Sequence, residues 1–500
     1  MSGSQHWHTD RPFSRREWLL RSGVGFGGLA LAGLLAESSA DQVPTSSNTL
    51  SASDRLARDR KRNPLSVRPP HFSPRAKRVI FLFMHGGPSQ VDTFDYKPQL
   101  TRDHGKPVPF DKPRVVSSKT KNLLKSPWKF KPHGECGFHV SELFPEVARH
   151  VDDICFINSV HGSNSRHGAA LLELSTGSDT FVRPSIGSWL CYGLGSENRD
   201  LPGFITICPS LTHGGSNNWG SAFLPPVYQG TPLGNAGTAS EKAKIPFITG
   251  GTNRSLQRME LDLLQQLNQE RLLSTGSDPQ LEGRIESFEL AFRMQNRAPR
   301  LQDISDETRE TLDSYGINHP TTRDFGLQCL LARRFAERGV RFIQVSHAHS
   351  LPFNNEQWDQ HSYIKKGHEI NVAQIDKPIT GFLKDLKQRG LLDDTLVLWG
   401  GEFGRTPTAQ VGSPETIGRD HHPDGFTMFM AGGGVKGGFR YGATDEFGYY
   451  AIEGRMTIHD LHATLLHVMG LDHEQLTYQY GGRNFRLTDV HGTVATDILV

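Results

Sequence analysis

The chain has 500 residues, 36% of them hydrophobic, which is enough for a large buried core. Its 55 basic residues balance 53 acidic ones, so it has no electrostatic footprint for nucleic acid. A mean hydropathy of −0.46 excludes a membrane bundle, and histidine, at 23 residues, is the outlier.

Residues 14–36 read SRREWLLRSGVGFGGLALAGLLA. Arg15-Arg16 ahead of a weakly apolar Gly/Ala/Leu run is the layout of a twin-arginine export signal, and Ser38-Ser39-Ala40 offers small residues for cleavage. This predicts a signal peptide over 1–40, the twin-arginine translocase as a partner, and an exported protein of the periplasm or cell envelope. The apolar run is too short and too glycine-rich to leave a stable transmembrane helix after cleavage. Its G-x-G-x-x-G at Gly23, Gly25 and Gly28 follows no strand, so it is not a dinucleotide fingerprint. Residues 41–76 are rich in Ser, Arg and Pro without periodicity, which predicts a flexible linker before a domain over 77–500. The five cysteines form no C-x-x-C, which argues against thiolate zinc or redox chemistry.

From Lys77 onward, apolar runs stop abruptly at Gly, His or an acid. Run 79–84 ends in His85-Gly86-Gly87-Pro88, and 154–158 leads to His161-Gly162. Run 340–346 ends in His347-Ala348-His349, and 396–399 in Gly400-Gly401-Glu402-Phe403-Gly404-Arg405. Run 426–430 ends in Gly432-Gly433-Gly434. Helical stripes lie between them: Phe325, Leu327, Leu331, Phe335, then Val372, Ile375, Ile379, Phe382, Leu386, with a kink at Pro378. Helices alternating with fully apolar strands predict an α/β fold around a mostly parallel sheet. Ligand sites in such sheets lie at the carboxyl ends of the strands, where all five clusters are expected. Residues 210–320 break the alternation. A Gly/Asn/Pro-rich stretch precedes two amphipathic helices, striped by Leu256, Met259, Leu263, Leu267 and by Leu281, Ile285, Phe288, Phe292. They predict an insertion, either a lid or a plain surface excursion. His459, His462 and His467 fall on a C-terminal helix over 458–469 and read as structural.

Several clusters carry candidate chemistry. In Trp358-Asp359-Gln360-His361, a carboxylate and an imidazole two residues apart suit a divalent cation, or a solvated turn. Glu402 stands between glycines at a strand end, where it can ligate metal or act as a base. Arg405 can clamp an anionic substrate or pair with Glu402. Asp420 and His421 favour metal or proton chemistry, with Asp420 as a ligand or as the group that fixes the His421 ring. Ser165 and His167 open a helix that ends at Gly177. A helix N-terminus attracts anions, and Ser163 or Ser165 is a nucleophile or a cap. Asp92, with Asp95, can bind a cation or cap a turn. There is no H-E-x-x-H, G-x-S-x-G or Walker A sequence.

The chain resembles the domain-of-unknown-function family 1501, exported by planctomycetes and other bacteria. The carriers are His85-Gly86-Gly87-Pro88-Ser89 to Asp95, Trp358 to His361, Glu402-Phe403-Gly404-Arg405-Thr406-Pro407, Gly418 to His421, and the tail from Gly470 through His491-Gly492. That family is similar to the alkaline phosphatase and sulfatase superfamily. The resemblance implies an alkaline phosphatase-like three-layer sandwich with divalent metal (zinc, calcium or magnesium) at the strand ends. Ser165-Arg166 through Thr176-Gly177 is loosely similar to the sulfatase nucleophile segment, but Gly162 stands at the usual cysteine. Gly401-Glu402-Phe403-Gly404 stands where the superfamily has Asp-His-Gly, so Phe403 removes one ligand of a second metal. The implied metal ligands are Asp359, His361, Glu402 and His421, with Asp92 also a candidate, and the catalytic group is Ser165, His167 and Arg405. The expected activity is metal-dependent hydrolysis of phosphate or sulfate esters, small or polysaccharide. The alternative is an exported binding protein with a degraded site.

Overall fold

Strands that are apolar on every residue need cover on both faces, and the chain supplies it. The computed structural model describes residues 64–110, 122–246, 248, 253–276, 278–348, 358–410, 413 and 415–500. The expected signal peptide and the linker through residue 63 lie outside the described residues, as does His349.

Among the described residues one nine-stranded sheet forms the centre. Its strands are β1 (Arg78–Met84), β2 (Ile154–His161), β3 (Phe204–Ile207), β4 (Thr231–Leu233), β5 (Phe342–His347), β6 (Thr395–Gly400), β7 (Phe426–Ala431), β8 (Phe439–Tyr441) and β9 (Met456–Thr457). The order is β8-β2-β7-β6-β1-β5-β3-β4, with β9 also on β2. Every pairing is parallel except those of β7, which runs against both β2 and β6.

The main helices are α1 (His167–Thr176), α2 (Ile186–Leu194), α3 (Arg254–Thr275), α4 (Pro279–Gln302), α5 (Arg323–Glu337), α6 (Ile364–Gln388) and α7 (Ile458–Val468). Strand alternation sorts α2 and α5 onto opposite faces. On one face Phe204 and Phe342 meet edge to face at 5.0 Å, and Gly187 of α2 presses on the Phe204 ring. On the other, His347 meets Phe325 of α5 at 5.1 Å. The same face carries Trp399 stacked on Phe429 at 5.1 Å. The result is the α/β fold around a mostly parallel sheet that the sequence pattern predicts, in the three layers that the resemblance implies. The α5 and α6 stripes are buried as expected, and α6 runs unbroken through Pro378. α7 starts with a capping box between Thr457 and Asp460. His459 and His462 bond the carbonyls of Gly177 and Leu174 at 2.9 and 2.8 Å, the structural role expected of them.

Three expectations are corrected. The segment from Pro64 to Ala76 is packed rather than a free linker: Leu65 is in the core, and Arg75 and Ala76 donate backbone N–H to Val468. Its irregular run of turns and bends carries no periodicity to read. The span 210–320 is not wholly an insertion, because β4 within it pairs with β3. The glycines after β7 are not at the site end. β7 is antiparallel, so they fall at the opposite edge, where Gly433 donates to Leu392 just before β6. What reaches the site end is the stretch that leads into β7, with His421-His422.

Candidate functional site

Five pieces of chain meet beyond the carboxyl ends of the parallel strands. β1 delivers His85-Gly86-Gly87, and β6 delivers Glu402 and Phe403. The turn into α1 delivers Ser165 and His167, the loop after β5 delivers Asp359 and His361, and the approach to β7 delivers Asp420 and His421. Residues Gly404–Arg405 and His421–His422 form a short antiparallel ladder that fixes Arg405 beside His421.

The loop that carries Asp359 is anchored from behind. Trp358 is fully buried, and its indole N–H donates to Nδ1 of His347 at 3.0 Å. His347 then donates from Nε2 to Gln374 Oε1 at 2.9 Å, and burial lowers its pKa to about 3. His347 is thus a neutral spacer that sets Trp358, and through it Asp359. Gly86 allows the loop to come close: its φ is +109°, and a Cβ there would stand 2.7 Å from the Asp359 backbone nitrogen. The Gly86 N–H donates to both oxygens of Glu402 at 3.0 and 3.1 Å.

At the centre, three acceptor atoms face one another. Nε2 of His421 and Nε2 of His361 are 2.9 Å apart, and they lie 3.0 and 3.1 Å from Oδ1 of Asp359. Each imidazole has its other nitrogen committed. Nδ1 of His421 donates to the Ser165 carbonyl at 2.7 Å, and Nδ1 of His361 to Gln410 Oε1 at 2.7 Å. That fixes both tautomers and turns two bare nitrogen lone pairs toward a carboxylate. Burial, with the charges of Arg405 and His167 adding to it, lowers the His421 pKa to about 4 despite Asp359, so this ring is neutral near pH 7. Burial also works against ionised Asp359, but Arg405 and the bond from His167 hold its carboxyl well below the usual range. Spacings near 3 Å are those of ligands sharing one ion, given metal–nitrogen distances of about 2.0–2.1 Å. His167, Asp359 and His421 also lie close enough to share an ion, as do His361, Asp420 and His421.

Behind this set sits a cation bridge. His167 reaches Glu402 Oε1 at 2.6 Å through Nδ1 and Asp359 Oδ2 at 3.4 Å through Nε2. Burial alone would lower its pKa, but the two carboxylates outweigh it and raise the value to about 9. That contribution to stability is complete below the unfolded pKa near 6.5 and is lost as pH rises through about 9. Metal-free protein is therefore expected to lose about 3 kcal/mol between pH 7 and 10 in urea titrations. His167→Gln is expected to flatten that slope, and an unchanged slope would contradict the bridge.

The sequence candidates separate accordingly. Asp359, His361 and His421 converge, with Glu402 one imidazole away. Asp420 approaches His361 Nδ1 at 3.7 Å and accepts the backbone N–H of His421 at 2.8 Å, so it does not hold the His421 ring. Arg405 is corrected from substrate clamp to wall. It has no solvent exposure, and its guanidinium serves Asp359 at 2.8 Å and the carbonyls of Gly86, Gly87, Trp358 and Arg419. Nor does it pair with Glu402. Asp92 belongs to neither metal-capable group among the described residues. Its two oxygens take Arg419 at 2.6 and 3.1 Å, and Ser89 as well. Ser165 contributes its carbonyl. Phe403 is no ligand: its ring packs 4.5 Å from His421 and 4.9 Å from His167.

His213 is the residue that sequence reading missed. It stacks on His167 at 4.8 Å and 10°, and on His85 at 5.9 Å, from a backbone with φ +51°. No spacing pattern announces it, because it sits alone in a polar loop. A cavity of about 480 Å³ opens at the end of β5, where Thr238, Phe325, Gln374 and His347 are among its lining.

A family model described as "Protein of unknown function (DUF1501)" matches residues 76–499. No curated protein matches the sequence. Among solved structures, the lipoteichoic acid synthase LtaP from Listeria monocytogenes is similar at 11% identity and TM-score 0.36, over 87% of this chain and 80% of that one. The PsFucS1 sulfatase from Pseudoalteromonas sp. is similar at 12% identity and TM-score 0.34, over 80% and 69%. An alkaline phosphatase from the Antarctic bacterium TAB5 is similar at 13% identity and TM-score 0.31, over 79% and 98%.

Proposed function

We propose that this chain, which belongs to the DUF1501 family, is a metal-dependent hydrolase of phosphate or sulfate esters. The observation that carries the reading is the meeting of three lone pairs, from His361, His421 and Asp359, within about 3 Å of one another. Left alone, such a cluster repels itself; a divalent cation satisfies all three. Asp359, His361 and His421 would hold the ion, be it zinc, calcium or magnesium, with Glu402 nearby but optional. When bound, the ion supplies Lewis acidity toward an ester oxygen.

The chain's own groups prepare the site. Arg405 keeps Asp359 ionised, the Ser165 carbonyl and Gln410 aim the two imidazoles, and His167 neutralises Glu402 and the far oxygen of Asp359. Ser165, whose backbone carbonyl accepts from His421, is the residue we assign as nucleophile. The substrate would be an ester of a small molecule or of a polysaccharide. Purified protein is expected to hydrolyse p-nitrophenyl phosphate or sulfate and to lose that activity in EDTA. Ser165→Ala should lose turnover and keep its metal.

A second reading is favoured by one observation: Arg405 and His167 direct their donors to the protein's own groups rather than to a substrate. A metal-loaded chain inert toward both esters would make it an exported binding protein. Export itself we assign to the twin-arginine route, on the strength of SRREWLL. Arg15→Lys with Arg16→Lys should retain the protein in the cytoplasm of a competent host, and unchanged export would refute that route.

A further inference from the structure

The cavity of about 480 Å³ at the end of β5 has room for a small molecule, whose sites span ~300–1,000 Å³. Its floor is polar and buried: Gln328 of α5, with Ser346 and His347 of β5, is between 2% and 5% exposed. Asp324 stands exposed at the mouth. Its Oδ1 accepts the Ser240 backbone N–H at 2.6 Å, and Ser240 Oγ donates to the Asp324 carbonyl at 3.0 Å, so the wall over 236–240 is tied to α5. One floor atom has no protein partner among the described residues. Gln328 donates from Nε2 to Asp324 Oδ2 at 2.9 Å, which fixes its amide and leaves Oε1 buried without a hydrogen bond. Ser346 Oγ accepts from Gln344 at 3.4 Å, so its own hydrogen can still be donated.

We infer that this cavity binds an uncharged saccharide. A buried amide oxygen calls for an O–H or N–H from the occupant, which an aliphatic ligand does not offer. The lining has no Lys or Arg among the described residues, and the Asp324 carboxylate at the mouth repels a phosphate, sulfate or carboxylate group. Hydroxyls meet both demands, because each donates and accepts. A sugar can give to Gln328 Oε1 and Asp324 and take from Ser346, while its C–H faces suit the apolar lining of Phe325 and Ala348. None of Asp359, His361, Glu402 and His421 lines the cavity, so the site is separate from the metal cluster. His347 and Gln374 are shared with the anchor of Trp358, so the variants below leave both in place.

Saturation-transfer NMR of the full chain with glucose, galactose, xylose and cellobiose tests this. At least one of the four is expected to bind at millimolar concentration, and to bind equally well in EDTA. In EDTA, glucose 6-phosphate and galactose 6-sulfate should bind about tenfold more weakly than the parent sugars. Gln328→Leu keeps the bulk of the side chain but removes the acceptor, and should weaken binding about tenfold at unchanged metal content. Thr238→Trp, at a half-buried lining position, should block the cavity without touching its floor. Binding by none of the four sugars would overturn the inference, as would binding that both variants leave unchanged. Tighter binding of the charged esters in EDTA would also overturn it. So would loss of sugar binding in EDTA, which would assign the sugar to the metal cluster instead.

Discussion

Asp359→Ala is expected to empty the site of metal, from near one ion per chain to near none, and to abolish ester hydrolysis. Asp359 Oδ1 is the anionic atom that the Nε2 lone pairs of both imidazoles face, so its loss removes the charge that anchors the ion between them. The same substitution strips Arg405, which has no solvent exposure, of its carboxylate partner. An uncompensated buried charge costs about 3–5 kcal/mol, so a fall in stability should accompany the metal loss. Asp359→Asn separates the two effects, since it returns an oxygen to Arg405 but weakens the ion's anchor. Glu402→Gln should lose far less metal, because Glu402 reaches the cluster only through His167. Equal metal loss in the Asp359 and Glu402 variants would make Glu402 a ligand and contradict this geometry.

Asp92→Ala is expected to destabilise the fold by about 3–5 kcal/mol while leaving metal content per folded chain unchanged. Both partners of the Asp92–Arg419 pair are fully buried. Burial raises the Asp92 pKa, but Arg419 more than offsets it, and the carboxyl is held below its usual range. Arg419 also donates to the carbonyls of Thr406 and Leu124, so this pair ties the first strand's loop to the segment that carries His421. Replacing both partners, as Asp92→Leu with Arg419→Met, should cost less than either change alone predicts, because no unpaired charge remains. Metal loss in Asp92→Ala with the fold intact would restore Asp92 to the ligand set.

What the sequence disclosed and what it withheld follow from what each signal encodes. Apolar periodicity reports that a face exists, so the stripes of α5 and α6 and the apolar strands were legible. It does not report strand direction, which is why the glycines after β7 read as site residues. Nor does it say what a helix face meets, and the α3 stripe points outward. Asp359, His361 and His421 were legible because strand-end polar clusters converge in parallel sheets. Arg405 was misjudged because a buried arginine and a substrate clamp have the same sequence; only the five oxygens around it distinguish them. His213 carried no pattern at all.

The most direct test of the metal-site reading is metal analysis of the purified, folded chain. One tightly held divalent ion per chain, lost in His421→Ala and Asp359→Ala but retained in Asp92 variants that still fold, is the expected result. A folded chain that takes up no divalent ion from zinc, calcium or magnesium would contradict it.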